Sequence, residues 1–178
     1  MKYFMLLAFF CCSTALAQDS QTTIGEFRGI PTAEPFFVDA YGYAVFPRIA
    51  EGGIGLGGAY GKGEVYKQGV ITGSTSVKQI SLGLQLGGQV YSMIIFFENA
   101  DAYNQFTDGN FEFGAQATAI ALTASASASA GTKGISAEAG AKQTMRGYTD
   151  GMAVFTLAQG GLMYQAAIAG QTFSFNPN

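Results

Sequence analysis

A phrase that occurs twice constrains this chain more than anything else in it. Ala44 to Ile54 reads AVFPRIAEGGI, and Ala153 to Leu162 reads AVFTLAQGGL, one residue shorter. In each copy a short apolar run meets a Gly-Gly pair preceded by Glu or Gln, and a second apolar run follows. Glycine pairs supply the positive φ angles that tight hairpin turns need. Each copy therefore reads as a β-hairpin, and the two are expected at equivalent places in one sheet system. Nothing in the phrase looks like a reaction centre.

The beginning of the chain reads as a segment removed before folding. Lys2 gives a positive start, Phe4 to Cys12 is apolar, and Ala15-Leu16-Ala17 forms a small-residue cleavage site before Gln18. The apolar stretch is too short to cross a bilayer as a helix. Residues 1–17 are thus expected to be a signal peptide, and the protein to be exported across a bacterial inner membrane, to the periplasm or the outer membrane. Acylation at Cys11 or Cys12 would need small residues where Phe9 and Phe10 stand. From Gln18 onward the chain has no cysteine, and it has no His or Trp anywhere. Disulfides and a thiol nucleophile are excluded. Loss of Lys2 takes the net charge from −3 to −4, which excludes nucleic-acid binding through bulk charge.

Gln18 to Phe37 is the least patterned stretch. With Pro31 and Pro35 it reads as a flexible arm, residues 18–39, ahead of a β-domain over residues 40–178. Tyr41 to Phe46 alternates as a strand that Pro47 ends or marks as an edge. Gly52 to Gly63 holds seven glycines, a pattern for strands brought close to another backbone. Lys67-Gln68-Gly69 is a turn, and strand patterning resumes over Val70–Ser76 and Val77–Leu86. Met93 to Phe97 is continuously apolar, which predicts a strand buried on both faces. Asn99 is placed to cap a short helix with Tyr103 and Phe106 on one face, and Asp108-Gly109-Asn110 turns the chain. Over residues 115–142 Ala alternates with other residues, and the parity changes around Leu122 and Thr123. Strict alternation of Ser125, Ser127 and Ser129 argues against a helix there and for a hairpin with one all-small face. The fold class that follows is mainly β: a single antiparallel, sheet- or barrel-like domain of hairpins with one short α-helix.

These residues also carry a resemblance. GYAVFPRIAEGGIGLGGAYGKGEVY (Gly42 to Tyr66), GGQVYSMIIFF (Gly87 to Phe97), GNFEFGAQATA (Gly109 to Ala119) and GMAVFTLAQGGLM (Gly151 to Met163) resemble the SYLF-domain proteins, especially exported bacterial members. The likeness runs in order over roughly residues 40 to 175. It implies the fold and an affinity for lipid; eukaryotic relatives are associated with phosphoinositides and with actin. In those relatives the phosphoinositide contact is associated with a basic amphipathic N-terminal helix. Here Thr22 to Asp39 has Arg28 as its only basic residue and carries two prolines, so that mode does not transfer. Actin is not an expected partner of an exported bacterial chain.

Candidate chemistry is sparse. The run Gly53 to Gly58 lacks the helix start and the Lys-Ser or Lys-Thr of a phosphate loop, and reads as close sheet packing. A serine nucleophile would lack a histidine base. Glu98 with Asp101, and Glu112 with Asp108, read as cap and turn carboxylates rather than an acid–base pair. No EF-hand spacing is present, and neither a metal nor a cofactor is expected. Two groups of basic residues remain as candidates for an anionic headgroup: Lys62, Lys67 and Lys78 near the glycine-rich hairpins, and Lys133, Lys142 and Arg146 on the small-residue hairpin. Phe36 and Phe37 are placed either to enter an acyl layer or to pack the arm onto the domain. The expected function is a non-enzymatic lipid-binding protein of the envelope, contacting phospholipid or an anionic membrane surface peripherally or in a pocket. The alternatives are an envelope protein that uses its flat Ala/Ser hairpin against a protein partner, and a small outer-membrane barrel.

Overall fold

A strand that is apolar at every position needs a partner layer on each of its faces. Met93 to Phe97 is such a strand, and the fold is organised around it. The computed structural model describes residues 19–113, 120–122, 147–160 and 170–178, with backbone alone at 54–56, 81–87, 120–122 and 160. In chain order the elements are α1 (residues 19–28), α2 (Glu34–Asp39), β1 (Gly42–Lys67), β2 (Val70–Phe97), α3 (Ala100–Thr107), β3 (Asn110–Glu112), β4 (Ile120–Leu122), β5 (Met152–Gly160) and β6 (Gln171–Pro177). The protein is mainly β, as expected. Among the described residues all six strands join one sheet, antiparallel except where β4 runs parallel to β5.

β1 and β2 form one hairpin with arms of 26 and 28 residues. Gln68 (φ 50°) and Gly69 (φ 81°) make its tip, a two-residue turn whose positive φ values match the twist of the arms. Straight, an arm of this length would reach about 90 Å, so the ribbon has to bend. It folds back until the start of β1 lies against its end. A Cβ on Gly63 would strike the Val45 carbonyl and come within 2.8 Å of the Phe46 ring, so only glycine permits this approach. Register shifts at Phe46/Ile49, Ile54/Leu56 and Val65/Tyr66 supply the bends.

One sequence expectation is narrowed here and another is corrected. Of the two roles expected of Pro47, the edge holds: among the described residues β1 pairs with β2 alone. Pro47 sits within β1 in the first of these bulges, where a missing N–H disrupts no ladder and its carbonyl accepts from Gln159 Nε2 at 2.7 Å. Gly52-Gly53 is not a turn. The pair is extended and lies opposite Gly88 and Gly87, while the tight turns fall at Gln68-Gly69 and at Asp150-Gly151 (φ 52° and 75°). In the second copy Gly160 ends β5 and Gly161 lies outside the described residues.

The expected equivalence of the two copies holds for their place beside one strand and not for the facing of their residues: Ala44 and Phe46 join one core layer, Ala153 and Phe155 the other. β1 lies along one edge of β2, and β5 lies along the other. Ala44, Val45 and Phe46 sit opposite Ile95, Ile94 and Met93; Ala153, Val154 and Phe155 sit opposite Phe96, Ile95 and Ile94. The copies thus flank the same segment with a stagger of one residue.

Strand alternation then sorts this segment into two layers. Met93, Ile95 and Phe97 join the larger core with Ala44, Phe46, Val65, Val77, Val154 and Phe173. Helix α3 closes one side of that core through Tyr103 and Phe106, and Asn99 caps it as expected, its Oδ1 accepting from the Ala102 N–H at 3.0 Å. Ile94 and Phe96 face the other way, with Ala153, Phe155 and Leu157. What covers them is the stretch expected to be an arm.

That expectation is a second correction: residues 19–39 contribute two helices, not an unpatterned arm. Ser20, Thr23, Ile24 and Phe27 are buried at helical spacing along α1, followed by Ile30 and Ala33 in the connecting turn. Pro31 lies in that turn, and Pro35 stands in the first turn of α2, where its missing N–H costs nothing. The Ala/Ser hairpin at 115–142 lies outside the described residues apart from β4, which is extended.

Candidate functional site

The basic and aromatic residues singled out by sequence separate in the structure. Lys133, Lys142 and Arg146 lie outside the described residues. Phe36 and Phe37 face the sheet. Phe36 stacks on Phe96 at 5.5 Å and meets Phe155 edge-on at 5.0 Å; Phe37 meets Phe96 at 4.8 Å and Tyr43 at 5.5 Å. The Arg28 guanidinium lies 4.9 Å above the Phe37 ring. These aromatics pack the N-terminal helices onto the domain.

Lys67 closes β1 beside the hairpin tip. Its ammonium lies 5.0 Å from the Tyr41 ring and 5.5 Å from that of Tyr103, and the Tyr41 side chain holds its pKa above the usual lysine range. The Tyr103 hydroxyl donates to Thr72 Oγ1 at 2.9 Å and fixes that ring in place. Lys67 therefore already has an internal role.

Lys62 and Lys78 are brought together. Lys62 lies opposite Ser76, and Lys78 lies opposite Tyr60, so the two lysines are diagonal neighbours on one face. Diagonal neighbours in a sheet lie roughly 7–8 Å apart, with their Cβ atoms somewhat closer. Both are exposed, and alternation explains why: Thr75, Val77 and Phe173 turn into the core while Ser74, Ser76 and Lys78 turn out.

Strand pairing extends this face across four strands. One row runs Lys62, Ser76, Ser174, Asn110; the next runs Tyr60, Lys78, Thr172, Glu112. Ser76 and Ser174 share a hydrogen bond of 2.7 Å. No carboxylate stands directly opposite either lysine, and Glu112 lies at the far end of its row. One row further along, Ile80 stands opposite Gly58 and is 83% exposed, and Tyr60 is 48% exposed. The site is thus an outward sheet face with two ammonium groups, a set of hydroxyls and two uncovered apolar side chains. Its chemistry suits the binding of an anion that carries an apolar body.

Tyr60 and Ile80 were not among the sequence candidates. Ile80 breaks the polar run Lys78-Gln79-Ile80-Ser81 on the outward parity of β2, a signal readable only once the facing of that strand is known.

The other polar constellations are internal. The Tyr66 hydroxyl donates to the buried Glu64 carboxylate at 2.8 Å and accepts from Gln21 Nε2 at 3.2 Å, tying α1 to the sheet. Burial, reinforced by Glu64, pushes the Tyr66 hydroxyl well above the usual tyrosine range. Gln171 Nε2 donates to Tyr91 at 3.1 Å and to Gln79 at 3.2 Å within the core. Among the described residues no three acidic, His or Cys side chains gather as a metal site would require.

The chain matches the Ysc84 family, described as Las17-binding protein actin regulator, over residues 78–178, just over half its length. No curated protein matches it.

Proposed function

The chain belongs to the Ysc84 (SYLF-domain) family, and on that premise we propose that it is a non-enzymatic lipid-binding protein of the bacterial cell envelope. It holds anionic phospholipid headgroups peripherally, at the outer face of its sheet. The family description names a protein partner, Las17, and actin regulation. For this chain the signal-peptide-like start favours an envelope location, where a membrane surface is the available partner.

The observation that carries the reading is the diagonal pair Lys62 and Lys78, with no acid opposite either, on a chain whose net charge is −3. Two adjacent cations on an acidic protein form a local attraction for phosphate that the bulk charge opposes. Each lysine close to an anionic surface is worth about 1 kcal/mol, and the attraction fades over about a Debye length of 8–10 Å.

Sedimentation with vesicles tests this. The chain from Gln18 onward is expected to bind phosphatidylglycerol-rich vesicles at low salt, to bind neutral phosphatidylcholine vesicles less, and to release as salt rises. The double variant Lys62→Gln/Lys78→Gln is expected to lose affinity about 10- to 30-fold. Unchanged affinity in that variant, with the fold intact by circular dichroism, would remove the assignment.

A further inference from the structure

We infer that the protein meets an anionic bilayer in one orientation, with the Gly58/Ile80 row nearer the acyl layer than the lysine rows beside it and Ile80 as its inserted anchor. The inference rests on the lipid-binding reading and adds to it a contact point and a depth. Among the described residues the large apolar side chains left in solvent fall in three places: Val38 at 81% exposure on α2, Val70 and Ile71 at 67% and 36% beside the hairpin tip, and Tyr60 with Ile80 at 48% and 83%.

Charge decides between them. Val38 lies in the sequence Glu34-Pro35-Phe36-Phe37-Val38-Asp39, so an anionic surface would meet acidic residues on the same short helix. Val70 lies opposite Lys67, whose ammonium is held by the rings of Tyr41 and Tyr103. Only Tyr60 and Ile80 stand beside two exposed lysines with no carboxylate across from them.

The rows on this face also form a polarity gradient. Moving along the strands, the order is Glu64/Ser74, then Lys62/Ser76, then Tyr60/Lys78, then Gly58/Ile80. Same-face rows are about 7 Å apart, close to the 5–10 Å by which interfacial elements enter the headgroup–acyl boundary. With Ile80 at that boundary, Tyr60 and Lys78 fall one row higher, at headgroup level. Tyrosine favours that depth, and lysine can keep its ammonium in water while its stem lies in the interface. The hydroxyls of Ser76 and Ser174 then lie above, in the hydrated headgroup layer.

The chain from Gln18 onward lacks cysteine, so single-cysteine labelling is clean. Ile80→Cys, Val38→Cys and Val70→Cys, each carrying an environment-sensitive fluorophore, would be mixed with phosphatidylglycerol/phosphatidylcholine vesicles containing brominated acyl chains. The expected result is a blue shift and bromine quenching at position 80 alone. As an unlabelled check, Ile80→Asp is expected to lower vesicle affinity by tenfold or more without altering the fold. Vesicle-bound protein with an unshifted label at 80, or with quenching at 38 or 70 instead, overturns the orientation and leaves lipid binding standing. Absence of vesicle binding by the unmodified chain overturns both.

Discussion

Replacing Phe27 by Ala tests whether the N-terminal helices are a true layer of the domain. Phe27 is fully buried, in one cluster with Ile30, Ala33, Ile94, Phe96, Ala153, Phe155 and Leu157. Truncating a buried phenylalanine costs about 3–5 kcal/mol, from lost transfer energy and from the cavity left behind. The value here belongs near the middle of that range, because the cavity would open between a helix and a sheet that share one apolar seam. Against a domain stability of about 5–15 kcal/mol this is a large fraction. Urea unfolding of the chain from Gln18 onward, followed by circular dichroism, reads it directly. With a slope of about 2 kcal/mol/M, a loss of about 4 kcal/mol moves the midpoint down by about 2 M with little change in slope. Val38→Ala, at a site 81% exposed on the same helical layer, serves as the control and is expected to stay within about 0.5 kcal/mol. A Phe27→Ala shift as small as that of the control would refute the reasoning, because residues 19–39 would then be behaving as a solvated arm.

Two further outcomes follow from the core. Gly63→Ala places a methyl group against the Val45 carbonyl and the Phe46 ring, so it is expected to lower stability by about 2–3 kcal/mol; a neutral result would show that β1 does not fold back so tightly. Burial, with help from Glu51, pushes the Tyr91 hydroxyl up to about 12, and burial also lifts Tyr148 to about 12. Because these folded-state values lie above the unfolded value near 10, stability is complete below about pH 10. It then falls between about pH 10 and 12 as the unfolded chain loses its protons first, by about 2–3 kcal/mol for Tyr91 and less for the more exposed Tyr148. Urea midpoints that stay level to about pH 11.5 would contradict this assignment.

The sequence made the centre of the fold legible and hid its cover. Five consecutive apolar residues, Met93 to Phe97, could only be a strand enclosed on both sides, and they are. The cap and buried face of α3 were equally plain, because Asn99, Tyr103 and Phe106 occupy positions with one physical reading. The N-terminal helices escaped because the buried stripe of α1 is half Ser and Thr, which weakens its apolar period, and because two prolines looked like interruptions. Both prolines stand where a helix tolerates them. The missing clue was a debt on the sheet: Ile94 and Phe96 needed a cover that no strand supplied. Gly-Gly misled for the opposite reason. Glycine permits positive φ without requiring it, and Gly52-Gly53 serves the bent ribbon in extended form. Of the site, Lys62 and Lys78 were visible as residues, but their adjacency depends on register across the β1–β2 hairpin, which composition does not encode.

The one-residue stagger of the repeated phrase around β2 reaches into how this sequence can drift. Read rung by rung, Tyr43 shares β2's Phe96 with Ala153, Val45 shares Ile94 with Phe155, and Phe46 shares Met93 with Thr156. Bulk on one side meets a smaller side chain on the other at each of these rungs, although both edges carry the same three letters. Two identical rulers laid one notch apart behave as a vernier, in which neither reads correctly without the offset. Substitutions should therefore be compensated across a rung, residue 46 with 156 and 45 with 155, rather than between matching letters of the phrase. A deletion that brought the copies into step would set Phe46 and Phe155 on the same rung and leave Ala44 and Ala153 facing each other across Ile95. The duplication is thus constrained to remain imperfectly aligned.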